Sequence, residues 1–301
     1  MLARPPVPAR RTSAASFAIA GPCSNARPRS NTSRRTRVHD GQGTVPEGDT
    51  VWRTARRLDE ALAGAEVVRF DVRVPGSAVA DLRGETVREV VPRGKHLLER
   101  IGEWTLHSHL KMEGAWHVYP RGGRWRAPAF KARAIVGSAA FDTVGFDLAM
   151  VEVLPTSDEE RIVGHLGPDP LADDWDPAEA ARRMGADSRP VHVALLDQRN
   201  VAGFGNEYAN EILFLRGILP QRHATETDAA AIVDLGARTI IANRDRSGRT
   251  FTGDSRAGRS TWVYGREGRP CRRCGTLIRS DALGALPTSA RNVFWCPSCQ
   301  R

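Results

Sequence analysis

The chain has 301 residues, 41% hydrophobic and 26% charged, an ordinary globular composition long enough for two or three domains and without the ~20-residue apolar run of a membrane span. Five Cys, four of them in the last 31 residues, exclude a secreted disulfide framework. The formal net charge of +9 is unevenly spread: eight Arg against one acid (Asp40) in 1–44, 23 basic against 30 acidic residues in 45–235, and 13 Arg against four acids in 236–301.

Residues 1–44 are rich in Arg, Ser, Pro and Ala and show no apolar period, so they read as a disordered extension with the composition of an organellar transit peptide. From Thr50 the pattern changes. Val51, Ala55, Leu58 and Leu62 recur at helical spacing up to Gly64, with Asp49 as the expected N-cap. Short β-branched runs follow at Val67–Phe70, Thr86–Val91, His96–Ile101, Trp104–His107 and Ala115–Tyr119, with a further set of strands around Ala132–Val136, Ala139–Asp142 and Met150–Leu154, which predicts a sandwich or barrel. The acidic, Pro/Gly-rich stretch Thr156–Trp175 reads as a linker. Helices are predicted next: one opened by Asp176-Pro177, a short one over Val191–Gln198, one over Asn206–Arg216 closed by Gly217, and one over Thr227–Asn243. Arg244–Arg259 has no period.

Four constellations carry chemistry. Cys271-x2-Cys274 and Cys296-x2-Cys299, separated by 21 residues, supply two thiolate knuckles suited to a closed tetrahedral Zn²⁺ site, in a module too small to bury a core without metal. Arg266, Arg269, Arg272, Arg273, Arg279 and Arg291 surround it and suit phosphate contact, with a solvated basic face as the plainer reading. Gly203-Phe204-Gly205-Asn206 allows a tight turn into a helix whose N-terminus presents N–H groups to an anion, although simple N-capping gives the same pattern. Arg93-Gly94-Lys95-His96 reads alone as a hairpin turn. Pro46-Glu47-Gly48-Asp49 reads alone as a turn before a helix.

Together and in this order, these motifs resemble the formamidopyrimidine-DNA glycosylase/endonuclease VIII family of base-excision repair enzymes, over Pro46–Arg301. Leu195-Leu196-Asp197-Gln198, Ala202–Asn206 and Glu211 resemble its helix–two-turn–helix signature, and Phe294–Gln300 its ending. The opening Gly48-Asp49-Thr50-Val51-Trp52 is closer to an actinobacterial endonuclease VIII branch. The resemblance implies an α+β fold: a disordered extension over 1–45, a helix-flanked β-sandwich catalytic domain over 46–160, a helix–two-turn–helix DNA-binding domain over 161–260 and a zinc ribbon over 261–301. It implies a bifunctional DNA glycosylase/AP lyase that excises oxidised bases, pyrimidines foremost. Pro46 is then the nucleophile at C1′, Glu47 the proton shuttle, Lys95 a catalytic phosphate contact, Asn206 and Arg291 phosphate-binding residues, and Met112 the wedge that replaces the flipped base. Cys271, Cys274, Cys296 and Cys299 hold structural zinc. The partner is damaged double-stranded or single-stranded DNA. A monomer acting without a membrane, in the cytoplasm at the bacterial nucleoid, is expected. The family's second carboxylate, three residues after Glu47, is replaced here by Thr50.

The mechanism also has a basis independent of the family. A terminal α-amine titrates near ~8 and a lysine near ~10.4, so at neutral pH the former has roughly two orders of magnitude more free base. A secondary amine yields a permanently cationic iminium, an electron sink that acidifies the C2′ proton. An amide nitrogen, its lone pair delocalised, forms no iminium. The functional protein is therefore expected to begin at Pro46, with Val45 in the place of an initiator Met (a GTG codon encodes either) or with cleavage just before Pro46. Two rival readings are a non-catalytic lesion-sensing DNA-binding protein in which Pro46 stays an amide, and a zinc-ribbon RNA-binding protein.

Overall fold

The computed structural model describes residues 45–284 and 290–301; the extension expected over 1–45, Val45 excepted, lies outside them. Helix α1 (Gly48–Leu62) forms on the predicted apolar stripe, with Val51, Ala55, Leu58 and Leu62 all buried. Each fully buried leucine contributes about 1.5–3 kcal/mol. Glu47, not Asp49, occupies the N-cap position, and Asp49 is buried inside the first turn. Eight strands follow: β1 (Arg69–Val72), β2 (Val87–Arg93), β3 (His96–Ile101), β4 (Trp104–His109), β5 (Ala115–Pro120), β6 (Ala132–Gly137), β7 (Phe141–Phe146) and β8 (Met150–Pro155). They make two four-stranded antiparallel sheets, in the orders β1-β6-β7-β5 and β2-β3-β4-β8. The strand expected over Ala139–Asp142 starts at Phe141 instead. The Ser138 hydroxyl accepts from the Ala140 and Phe141 N–H groups and makes that stretch the hairpin turn. Leu97, Ile101, Leu106, Ala134 and Val136 close over the buried face of α1 as one core.

The expected linker is more ordered than its composition indicates. It contains a short helix α2 (Glu160–Val163) and the buried Asp169. Helix α3 (Pro177–Gly185) starts as predicted, with the Asp176 carboxylate accepting from the N–H groups of Ala178 and Glu179. Helices α4 (Val191–Leu196), α5 (Asn206–Arg216) and α6 (Ala229–Arg244) complete a second core around Phe204, Tyr208, Ile212 and Ile232. Helix α5 is buried continuously from Glu207 to Phe214 and ends on Gly217, whose φ of +70° suits glycine. The C-terminal module is a hairpin of β9 (Arg279–Leu283) and β10 (Arg291–Trp295), whose Ile278, Val293 and Phe294 are buried and whose Phe294 packs in one cluster with Phe214 of α5. Among the described residues, no helix is long and apolar enough to cross a membrane.

One core residue breaks the pattern. Glu99 shares its strand face with Leu97 and Ile101 and is fully buried, and neither carboxyl oxygen has a hydrogen-bond partner. Burial raises its pKa to about 8. The unfolded chain releases this proton near ~4.3. The stability due to the neutral acid is therefore complete below that value and is lost as pH rises towards 8. Glu99→Leu should accordingly stabilise the protein by on the order of 2–4 kcal/mol at pH 8 and by much less at pH 5. Thermal unfolding at the two pH values checks this, and an equal gain at both contradicts it.

Candidate active site and DNA-facing elements

The site forms where the segment leading into α1 meets the turn before α5. Glu47 has an extended backbone (φ −124°, ψ −173°), and its carboxylate crosses to the helical layer. Oε2 accepts from the Gly205 N–H at 2.6 Å and Oε1 from the Glu207 N–H at 2.9 Å. The Gly48 N–H donates to the Gly203 carbonyl at 2.9 Å. The α5 N-terminus does bind an anion, as its dipole favours, but the anion is the protein's own carboxylate. The glycines make this approach possible: a Cβ on Gly205 would stand 2.5 Å from the Glu47 carboxyl carbon, and one on Gly48 would stand 2.9 Å from the Gly203 Cα. Pro46, half-buried, is thereby held beside the helix–two-turn–helix turn.

Lys95 enters from the β2–β3 hairpin. Its turn is shaped by Gly94 (φ +58°), whose N–H donates to Asp169 Oδ2 at 2.7 Å. Burial lowers the Lys95 ammonium below its ordinary value, Arg249 and Arg291 push the same way, and Glu47 and Asp49 oppose them. Glu47 and Arg291 thus both come within electrostatic reach of Lys95. Arg291 pairs with Leu283 at the end of the β9–β10 register nearest the connection between the two strands, and is exposed.

Asn206 starts α5 as expected, but its amide is engaged. Nδ2 donates to the Asn292 carbonyl at 3.0 Å, and Oδ1 lies 2.9 Å from His192 Nε2. One turn on, Asn210 Oδ1 accepts from the Phe294 N–H at 2.6 Å. Glu211 accepts from the N–H groups of Trp262, Val263 and Tyr264 at 2.7, 2.9 and 2.8 Å, and burial pushes its carboxyl up to about 7. One face of α5 therefore docks the C-terminal module next to Arg291. Met112 stands apart in the β4–β5 connection, 71% exposed beside Lys111 at φ +50°. That exposure keeps it out of the hydrophobic cores.

The four Sγ atoms of Cys271, Cys274, Cys296 and Cys299 lie within 4.8 Å of one another. Cys274–Cys296, Cys274–Cys299 and Cys271–Cys299 stand at 3.4, 3.5 and 4.0 Å. Thiolates arranged tetrahedrally at ~2.3 Å from one ion are about 3.8 Å apart, so the donor set fits a metal ion. Several arginines read as phosphate contacts instead hold this module in place. Arg272 donates to the Gly258 and Thr261 carbonyls, Arg266 to Trp262 and Pro270, and Arg273 lies 4.7 Å over the Phe214 ring.

The residues that the sequence reading missed are Asp49, Glu207 and Arg249. The Arg244–Arg259 segment shows no period in sequence, yet its Arg249 is buried in contact with Asp49 and Glu207. Burial pushes the Glu207 carboxyl up to about 7 against the pull of Arg249. Glu207 had a local signal, an acid in the first turn of a helix already singled out. Arg249 had none, since its partners are 42 and 200 residues away.

Residues 45–166 match the formamidopyrimidine-DNA glycosylase N-terminal domain, and residues 166–241 its H2TH domain. The chain is 48% identical over 262 residues to a probable endonuclease 8 2 of Streptomyces coelicolor, covering 85% of this chain and 94% of the relative. The chain belongs to the formamidopyrimidine-DNA glycosylase/endonuclease 8 family. The family comprises DNA glycosylases and AP lyases of base-excision repair. A further relative, named DNA-(apurinic or apyrimidinic site) lyase Nei2, of Mycolicibacterium smegmatis, is 46% identical over 258 residues, covering 85% of this chain and 99% of the relative. The fold is shared with MutM in complex with DNA containing carbocyclic 8-oxo-G, at a TM-score of 0.71 and 23% identity over 85% of this chain and all of that one.

Proposed function

We propose that the chain, with Pro46 as its free N-terminus, is a bifunctional DNA glycosylase and AP lyase that excises oxidised bases, pyrimidines foremost, and cleaves abasic sites through a Schiff base. The observation that carries this reading is the Glu47 carboxylate fixed on the Gly205 and Glu207 N–H groups, because it holds Pro46–Glu47 against the DNA-binding turn. The match of the N-terminal domain from residue 45 supports a start at Pro46.

The Pro46 nitrogen uses its lone pair to bond C1′ as the glycosidic bond breaks, and the departing base takes a proton. Opening of the sugar ring, with a proton supplied to O4′ by Glu47, leaves an iminium. Loss of the C2′ proton then expels the 3′ phosphate, and water hydrolyses the iminium to release Pro46. Glu47 suits proton transfer at both stages because it is adjacent to the nucleophile and both its oxygens are oriented. Lys95 and Arg291 bind the phosphates at the lesion, and Asn206 adds a contact through its second amide hydrogen. Met112, exposed on its loop, fills the gap left by the extruded nucleotide. The enzyme acts as a monomer on damaged double-stranded or single-stranded DNA in the cytoplasm, at the nucleoid.

Cys271, Cys274, Cys296 and Cys299 hold zinc, which supplies folding energy and no chemistry. Elemental analysis should find about one zinc per chain. Chelation, or Cys296→Ser, should abolish binding to abasic-site DNA while the sandwich and helical cores remain folded. Unchanged affinity after verified metal loss contradicts the assignment. The activity itself is tested by borohydride trapping on an abasic duplex, since only an imine intermediate is captured.

A further inference from the structure

Arg249 lies in the segment after α6, yet its guanidinium is enclosed at the chain's catalytic opening. It grips Asp49 with two prongs, Nη2 to Oδ1 at 2.5 Å and Nε to Oδ2 at 2.9 Å. Nη1 donates to Glu207 Oε2 at 2.6 Å and stands 3.8 Å from Glu47 Oε1. Nη2 also reaches Thr50 Oγ1 at 3.3 Å and, at 3.5 Å, the carbonyl oxygen of Val45, the other half of the Pro46 peptide group. The Tyr208 ring closes the remaining side at 5.0 Å. Asp49 stands beside Thr50, where the family's second carboxylate is missing. None of these contacts enters the reaction steps assigned above.

We propose that Arg249, with Asp49 and Glu207, is a positioning unit for the Pro46 nucleophile: it clamps the first turn of α1 to α5 and balances the local carboxylates, so that the freed amine keeps its lone pair at neutral pH. The proposal rests on the reading of Pro46 as the nucleophile. Its physical basis is charge balance. The titratable and charged groups around Arg249 are Glu47 at the α1 N-cap, Asp49 from α1, Lys95 from the β2–β3 turn, Glu207 from α5, Arg249 itself from the segment after α6 and Arg291 from β10; Tyr208 and Tyr264 add neutral phenols. The acids Glu47, Asp49 and Glu207, the last raised to about 7 by burial, stand against the cations Lys95, Arg249 and Arg291. Carboxylates near an amine favour its ammonium form and cations oppose it. Arginine keeps its charge at every working pH, so it is a fixed counterweight, and its planar fork fits the Asp49 carboxylate in one orientation. Without it, Asp49 and Glu47 hold a proton on Pro46.

The test is the pH dependence of borohydride trapping on an abasic duplex under single-turnover conditions, with chains that begin at Pro46. Arg249→Gln removes the charge and should move the trapping midpoint up by about one pH unit, a loss of about tenfold at pH 7. Asp49→Asn removes an opposing charge and should move the midpoint down. Arg249→Lys keeps the charge but loses the fork, and should lower the rate with the midpoint in place. A merely structural role moves no midpoint, and still less moves two in opposite directions. If Arg249→Gln does not fold, the downward shift of Asp49→Asn decides alone. Wild-type midpoints in the folded variants overturn the proposal while leaving Pro46 as the nucleophile. Absence of trapping in the wild-type chain beginning at Pro46, or trapping through a lysine, overturns the Pro46 reading itself.

Discussion

Strand cleavage at an abasic site by residues 46–301, with Pro46 as a free terminus, should exceed cleavage by the 1–301 chain by about a hundredfold or more. In the longer chain the Pro46 nitrogen is an amide, without the lone pair that the reaction uses. Turnover that remains must pass through another amine. A lysine of ordinary pKa has a free-base fraction about two orders of magnitude lower at neutral pH; Lys95, lowered by burial, is the one at this site that departs from it and is assigned to phosphate, not to C1′. DNA binding should be largely kept, because the residues proposed to bind DNA, Asn206 and Arg291, and the four-cysteine module lie outside the removed segment. Single-turnover cleavage and binding, measured side by side on the two chains, check both statements. Equal rates contradict the assignment of Pro46.

Glu47→Gln should lower base excision and strand cleavage together, by roughly 10²–10⁴-fold, the usual range for loss of a general acid–base group. Chemistry and geometry both contribute. The carboxylate accepts two backbone N–H groups at once. A glutamine has one oxygen for them and turns its NH₂ towards the other donor. The buried donor left unsatisfied costs about 1–3 kcal/mol, so some loss of thermal stability accompanies the loss of rate. Measured rates that fall for excision but not for strand cleavage would show that Glu47 serves only the first stage.

Much of this architecture was legible from local signals. The α1 stripe, the Asp176-Pro177 start and the Gly217 stop each depend on a few neighbouring residues, and each stands within about a turn of its expected place. The strand expected from Ala139 starts at Phe141 because local composition does not reveal that the Ser138 hydroxyl makes a turn there. The linker over Thr156–Trp175 reads as loose by composition, yet Asp169 is buried because Gly94, far away in sequence, donates to it. The site follows the same rule. Pro46, Glu47, Lys95 and the cysteines belong to recognisable strings. The Arg249 cluster depends on side chains that meet only after the sandwich and helical layers have docked, so a buried arginine looks in sequence like any other in a basic loop. The helix N-terminus was likewise read as open to an external anion, since nothing local to Gly205 shows that Glu47 fills it.

The central claim is that the covalent bond to DNA forms at the Pro46 nitrogen. Its most direct measurement is peptide mapping by mass spectrometry of the complex that borohydride traps between residues 46–301 and an abasic duplex. The account predicts the sugar remnant on the peptide that begins at Pro46, with Lys95 unmodified. Lys95 is the informative alternative, because burial already lowers its ammonium towards the reactive free base. A remnant on Lys95, with the Pro46 peptide unmodified, would contradict the account.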